Sequence, residues 1–310
     1  MKIVVLLGGD SPEREISLKS GEAVIDALKK KYKVYPLDPS KKSFAKKIIE
    51  IKPDCVFIAL HGGRGEGGQI QGFLEILNIP YTGSDFFSSA ICLNKIFTKK
   101  ILNFHKIPTP EFVEISGVKN LSQIKIPFSY PIVVKPANLG STIGITIVKK
   151  KEELFPAIKK CFLYDKEVFI EKYIKGKEIT VSILGNEKIK ILPIIEIKTE
   201  TGFYDYKAKY TPGKSIHKIP PDLSDNIIKK VKEISGLTYK VLKCSGFARM
   251  EMIVDKNGNP YILDVNTIPG LTKTSLFPDS AKAEGISFEN LCEMLIDLAI
   301  EKWKKRQKKE

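Results

Sequence analysis

The chain has 310 residues, of which 51 are basic and 36 acidic, for a formal net charge of +15. Hydrophobic residues make up 43% and charged residues 28%, which rules out a disordered or fibrous chain, and no apolar run reaches the length of a membrane span. The lysines are spread along the chain and dense only in the tail EKWKKRQKKE, without aromatic–basic interleaving, so no nucleic-acid partner is expected. Five widely spaced cysteines without a CxxC predict reduced thiols in a cytoplasmic protein.

In chain order, residues 3–9 form an apolar strand ending in Gly8-Gly9, which reads as a first strand and not as a signal peptide. A helix starts near Pro12, with Asp10 or Ser11 as its cap. A strand near 33–37, a helix over 41–51 and a strand over 55–60 follow. Strand–helix alternation with short links predicts a parallel sheet, whose ligands sit beyond the carboxyl ends of its strands. Two Gly-rich loops, GGDSPE and HGGRGEGG, fall at that edge. One long helix is expected from Ser88 to about His105, then a stiff break at IPTPEF, with a domain boundary between about 95 and 110. Strands over 131–136, 145–150 and 167–174, with a helix before the last, predict a small antiparallel sheet with NLGSTIG at a hairpin tip. Residues 177–197 are strand-like, whereas 198–221 show no periodicity and read as a long functional loop. A helix over about 222–243, a hairpin and a last helix over about 287–307 complete the order.

The hairpin is GFARMEMIVDKNGNPYILDVNTIPG. Centring a two-residue turn on Asn257-Gly258 sets Glu251 opposite Asp264 and Arg249 opposite Asn266, all on one face. Ala248, Met250, Met252, Val254, Tyr261, Leu263 and Val265 then form the core face. Facing carboxylates repel, and a divalent cation relieves the repulsion. Two carboxylates and an Asn amide are hard oxygen ligands of the kind Mg²⁺ takes, although a solvated polar face is the plainer alternative. Lys135, in a strand otherwise made of Ile132, Val133 and Val134, needs an anionic partner, either a phosphate or a structural carboxylate. NLGSTIG either lets backbone N–H groups approach phosphate oxygens or is a plain hairpin tip. Glu171 and Glu178 flank a short connection. They either face one cleft, where carboxylates accept from an adenine amino group and ribose hydroxyls, or make the surface salt bridges that the residues alone favour.

Six motifs, HGGRGEGGQIQGFLEILNIPYTGS, PIVVKPANLGSTIGI, EKYIKGKEITV, DYKAKY, GFARMEMIV and DVNTIPGLTKTSL, stand in an order and spacing that resembles D-alanine–D-alanine ligases, ATP-grasp enzymes of peptidoglycan precursor synthesis. The likeness covers nearly the whole chain. It implies an α/β (α+β) fold: an N-terminal parallel α/β, Rossmann-like domain over 1–95, then a two-part ATP-grasp fold over 96–177 and 178–310, with 198–221 as a lid loop. It implies ligation of two D-alanine molecules through an acyl phosphate, with ATP, two Mg²⁺ or Mn²⁺ ions and a homodimer.

Carried over by position, Lys95 and Lys135 resemble the phosphate-contacting lysines, and Lys209 the one that reaches the γ-phosphate. Glu171, the backbone at Tyr173-Ile174, and Glu178 resemble the adenine and ribose contacts, and Glu251, Asp264 and Asn266 the metal ligands. Glu13 resembles the residue holding the first D-alanine's ammonium, with Ser141 and Tyr210 as its partners in a triad that closes the lid, and His61 near that substrate's carboxylate. Arg249 and the Gly270 N–H resemble an oxyanion hole, and Ser275 and Leu276 the site of the second carboxylate. Tyr210 argues for a dipeptide product over a D-lactate ester. Two departures stand out. The family usually has Asp and then Glu where this chain has Glu251 and Asp264, and Gly67 stands where it often has an acidic residue after Glu66.

Overall fold

A computed structural model describes residues 1–115, 117, 124–199, 211, 213–272 and 274–308. Three parallel strands, β1 (Lys2–Leu6), β2 (Lys33–Leu37) and β3 (Cys55–Ile58), form the first sheet in the order β2-β1-β3. Ile3 to Leu6 are fully buried, because helices cover both faces of this sheet. Helix α1 (Arg14–Leu28) does not start on the cap expected from the sequence: Glu13 is its N-cap, and Ser11 Oγ accepts from the Glu13 N–H at 3.1 Å. Helices α2 (Phe44–Ile51), α3 (Gly63–Glu66) and α4 (Gln69–Ile76) follow, α3 lying within the HGGRGEGG loop and α4 just after it.

The single helix expected from Ser88 to His105 is two, α5 (Phe86–Leu93) and α6 (Lys95–Phe104). Asn94 divides them with an extended backbone (φ −85°, ψ 103°), and its side chain caps α6 by accepting from the Phe97 N–H at 3.0 Å. Asn competes with helical hydrogen bonding and favours caps. Its amide also donates to Asn138 (2.9 Å) and Glu167 (2.8 Å), so contacts distant in sequence hold the break.

The central sheet is antiparallel, β4-β7-β5-β6, from β4 (Phe112–Ile115), β5 (Ile132–Pro136), β6 (Thr146–Val148) and β7 (Val168–Lys172), with α7 (Leu154–Phe162) packed on it. The sequence pattern does not show strand β4, since β7, its ladder partner among the described residues, is far along the chain. The third sheet runs β11-β10-β8-β12-β13 with β9 beside β8, from β8 (Gly176–Gly185), β9 (Ile189–Ile191), β10 (Ile195–Thr199), β11 (Ser215–Lys218), β12 (Phe247–Asp255) and β13 (Pro260–Asn266). Helix α8 (Asp225–Val241) covers it. Strand β11 corrects the reading of 198–221 as loop throughout: 215–218 pair antiparallel with β10.

The hairpin β12–β13 has the expected pairs Glu251–Asp264 and Arg249–Asn266, reached differently. The loop has three residues, 256–258, with Gly258 at φ 78° and its N–H on the Asp255 carbonyl at 3.0 Å. Beyond Glu251 the register shifts by one, pairing Met252 with Ile262 and leaving Leu263 as a bulge. Ile262 therefore takes the core position expected for Leu263 and Tyr261, and Leu263 turns to the cleft. Two more helices, α9 (Leu276–Ala283) and α10 (Phe288–Gln307), end the chain. Helix α10 returns to the first sheet, where Leu295 and Ile296 pack with Ile3, Val5 and Val24.

Candidate active site

Between the central and third sheets lie two adjoining chambers, open to solvent and sharing Lys135, Thr142, Ile145, Glu251 and Leu263. The second chamber has apolar walls from Val133, Ile147, Ile253 and Leu263, with Glu171, Tyr173, Ile174 and Glu178 along one side. A flat base fits between such walls. The first chamber gathers Glu13, His61, Ser141, Lys95, Arg249, Asp264, Asn266 and Gly270, contributed by all three sheets or the loops at their ends.

The charged groups rest on one another. Lys95, the first residue of α6, has its N–H on the Ala137 carbonyl at 2.9 Å, its Nζ on the Leu139 carbonyl at 3.0 Å, and Asp264 Oδ2 3.3 Å from that Nζ. Burial acts to lower the Lys95 ammonium, but Asp264 outweighs it and holds it above the ordinary lysine value. Arg249 donates to Glu251 at 2.8 Å and to Thr180 Oγ1 at 3.1 Å. Glu171, only 2% exposed, is paired by Lys135 at Oε1 and by Lys99 at Oε2, the latter 2.9 Å away and off the line of a hydrogen bond. Burial pushes the Glu171 carboxyl up, and the two lysines more than offset it, so it sits below the ordinary carboxylate value. Lys135 thus has the structural carboxylate left open by the sequence, and the surface salt bridge favoured for Glu171 is replaced by a buried ion triad. Among the described residues no three His, Cys, Asp or Glu side chains converge as a metal cluster. The oxygen donors aligned on one hairpin face are Glu251, Asp264 and Asn266, whose Oδ1 accepts from the Ile268 N–H at 2.8 Å.

Glu13 is buried at the start of α1 and accepts a hydrogen bond from Ser141 Oγ. Ser141 and Thr142 both take left-handed φ values, 53° and 63°, a strain that persists only where surroundings dictate it. Gly62 (φ 67°) lets the HGGRGEGG loop pass Glu13, because a Cβ there would lie 2.8 Å from Glu13 Oε2. His61 Nε2 lies 3.0 Å from Ser20 Oγ, and its Nδ1 is 3.6 Å from Glu66 Oε1.

Ser275 and Leu276 line neither chamber. Ser275 is the N-cap of α9, near Gly270, and the Leu276 side chain is buried against Ile195 and Ile197. Lys209 and Tyr210 lie outside the described residues. Sequence reasoning passed over Glu66, which lines the first chamber, and Lys99, buried beside Glu171. Lys99 did carry a signal: it is one turn beyond Lys95, on the same face of α6.

Two antiparallel sheets closing on a cleft of buried lysines and facing carboxylates, beside a parallel α/β unit, define an enzyme of the ATP-grasp class. Residues 38–84 match the family "D-ala D-ala ligase N-terminus" and residues 100–297 "D-ala D-ala ligase C-terminus". The D-alanine–D-alanine ligase of Pelotomaculum thermopropionicum is 47% identical, over 97% of each chain. That of Carboxydothermus hydrogenoformans is 48% identical, over 97% of this chain and 99% of the other. Among solved structures, the ligase from Bacillus anthracis complexed with ATP superposes with a TM-score of 0.85 at 38% identity, over 99% of each chain. The chain belongs to the D-alanine–D-alanine ligase family.

Proposed function

We propose that the chain joins two D-alanine molecules into D-alanyl-D-alanine with ATP as the energy source. The observation that carries this reading is the meeting of the two chambers at Lys135, Glu251 and Leu263, which leaves room for a base and ribose on one side and two small amino acids on the other. The nucleotide lies with its base between the apolar walls, near Glu171 and the Tyr173-Ile174 backbone, its ribose by Glu178, and its phosphates by Lys95 and Lys135, with Lys209 added from outside the described residues. Glu13 holds the ammonium of the first D-alanine, and His61 faces its carboxylate. A carboxylate oxygen of that D-alanine attacks the γ-phosphorus and ADP leaves; the lysines offset the charge that develops. The uncharged amine of the second D-alanine, its carboxylate near Ser275 and the Leu276 N–H, attacks the acyl phosphate carbonyl. Arg249 and the Gly270 N–H stabilise the oxyanion, and phosphate departs as the amide forms. Glu251, Asp264 and Asn266 fit Mg²⁺ or Mn²⁺ as an all-oxygen set, and such ions, when bound, supply charge neutralisation at the phosphates. Tyr210, outside the described residues, is the expected third partner of Glu13 and Ser141 in shielding the acyl phosphate, which hydrolyses in water. A cytoplasmic homodimer is part of the same reading.

The test is phosphate release from ATP with D-alanine absent, present alone, and present with an equal concentration of D-lactate, with the product identified by mass. D-alanine-dependent release with stoichiometric dipeptide is expected. Release independent of D-alanine, or an ester with D-lactate as the preferred product, overturns it.

A further inference from the structure

We infer that Lys99 is a positioning residue of the nucleotide site, the fixed counter-ion that keeps Glu171 ionised when Lys135 turns to the phosphates. This rests on the nucleotide reading above. The two lysines share one carboxylate but differ in freedom. Lys135 borders both chambers, so its ammonium can swing from Glu171 to an arriving phosphate. Lys99 borders neither, and its side chain is 2% exposed. Its Nζ donates to Thr109 Oγ1 at 2.7 Å, and that hydroxyl donates to the Ile262 carbonyl at 2.8 Å. The rings of Phe112 and Phe169 flank it, with centroids 5.7 and 5.9 Å from Nζ. Lys99 therefore stays, and its hydrogen-bond chain ties α6 to the hairpin next to the Leu263 bulge.

A buried carboxylate stripped of its counter-charges takes up a proton. Protonated Glu171 turns one oxygen into an O–H donor and leaves only a neutral carbonyl to accept, a weaker partner for the amino group of adenine than a carboxylate. Two cations face Glu171 directly, Lys99 from α6 and Lys135 from β5; β4 presents Phe112, and Lys172, Glu178 and Glu251 border the chamber beside it. With Lys135 engaged by phosphate, only Lys99 remains on the carboxylate. The Lys99 ammonium is itself lowered, by burial first, against the attraction of Glu171.

The experiment is an infrared difference spectrum on binding a non-hydrolysable ATP analogue, with no D-alanine, paired with the preference for ATP over ITP, whose 6-oxo group accepts where adenine donates. Wild type should show no protonated-carboxyl band. Lys99→Met should show one, absent again from Lys99→Met/Glu171→Gln, and its preference for ATP should fall by about tenfold or more, the size of a lost hydrogen bond to a charged group. Lys99→Arg should restore the wild-type spectrum. Two outcomes overturn the assignment: a band in wild type that Glu171→Gln removes, or a folded Lys99→Met with no band and an unchanged ATP preference. The wild-type measurement and the double variant, which buries no unpaired charge, decide the matter if Lys99→Met does not fold. Failure of wild type to bind the analogue at all would instead refute the nucleotide reading.

Discussion

Each cation described in the cleft rests on a carboxylate: Lys95 on Asp264, Arg249 on Glu251, and Lys135 with Lys99 on Glu171. Buried charges need such partners, and removing one partner is costlier than removing both. The same pairing lets ligand binding proceed by exchange, since phosphate groups take the lysines as metal ions take the acids. Arg249→Ala should lower turnover by about 10²–10³, with a much smaller change in the KM for ATP. Arg249→Lys should rescue only in part, because Arg249 spans Thr180 and Glu251 at once and a point charge cannot. A folded Arg249→Ala enzyme with near-normal kcat would end that assignment. Asp264→Ala should remove most activity and raise the magnesium concentration needed for half-maximal rate, and should also lower stability, because the buried Lys95 loses its carboxylate. A magnesium titration indistinguishable from wild type would contradict it.

The break between α5 and α6 decides where Lys95 points. Were the helix continuous, as its apolar spacing suggests, Lys95 would sit mid-helix, and its N–H would bond within the helix instead of to Ala137. Asn94→Ala removes the cap, worth about 1 kcal/mol, and two further side-chain partners, Asn138 and Glu167, lose an amide. Destabilisation of about 1–3 kcal/mol is expected, with a raised KM for ATP as Lys95 loses its anchor. Urea unfolding alongside initial-rate kinetics checks both; an unchanged KM in a destabilised variant would confine Asn94 to a structural role. The hairpin bulge works similarly. A three-residue loop alone would displace the metal-face pairs by one residue and turn every side chain over, and Leu263 restores the register.

Helix α10 joins the chain's end to its beginning. Lys302 is half-buried, its ammonium donating to the Gly83 carbonyl at 2.6 Å and lying 4.4 Å from the Tyr81 ring centroid. Gly83 also abuts Gly246 at the start of β12, so this contact sits where the first and third sheets meet. Desolvation pushes Lys302 down to about 8, against the pull of Asp85, Glu75 and Cys55. Unfolded, a lysine titrates near 10.4, so between these values the unfolded chain binds more protons. Stability from this group therefore rises as pH climbs from about 8 toward 10 and is lost as pH falls through about 8. Lys302→Met should flatten that rise in the urea midpoint measured between pH 7.5 and about 9.5; an equal slope in the variant would mean another group titrates there.

Local pattern alone was enough for the parallel strands, for a polar face bearing Glu251, Asp264, Arg249 and Asn266, and for Lys135 needing an anion, because side-chain alternation and the cost of burying charge operate within a few residues. The motif spacing identified the ligase family and pointed to Glu13, Lys95 and Gly270, which meet in one chamber, but also to Ser275 and Leu276, which line neither. Contacts between distant segments decided the rest. Asn94 breaks a helix because Asn138 and Glu167 await its amide. Strands β4 and β11 exist because β7 and β10 lie beside them. Lys99 and Lys135 became partners of one carboxylate only when α6, β5 and β7 packed together. Such pairings depend on which segments fold against each other, and no window of neighbouring residues holds that information.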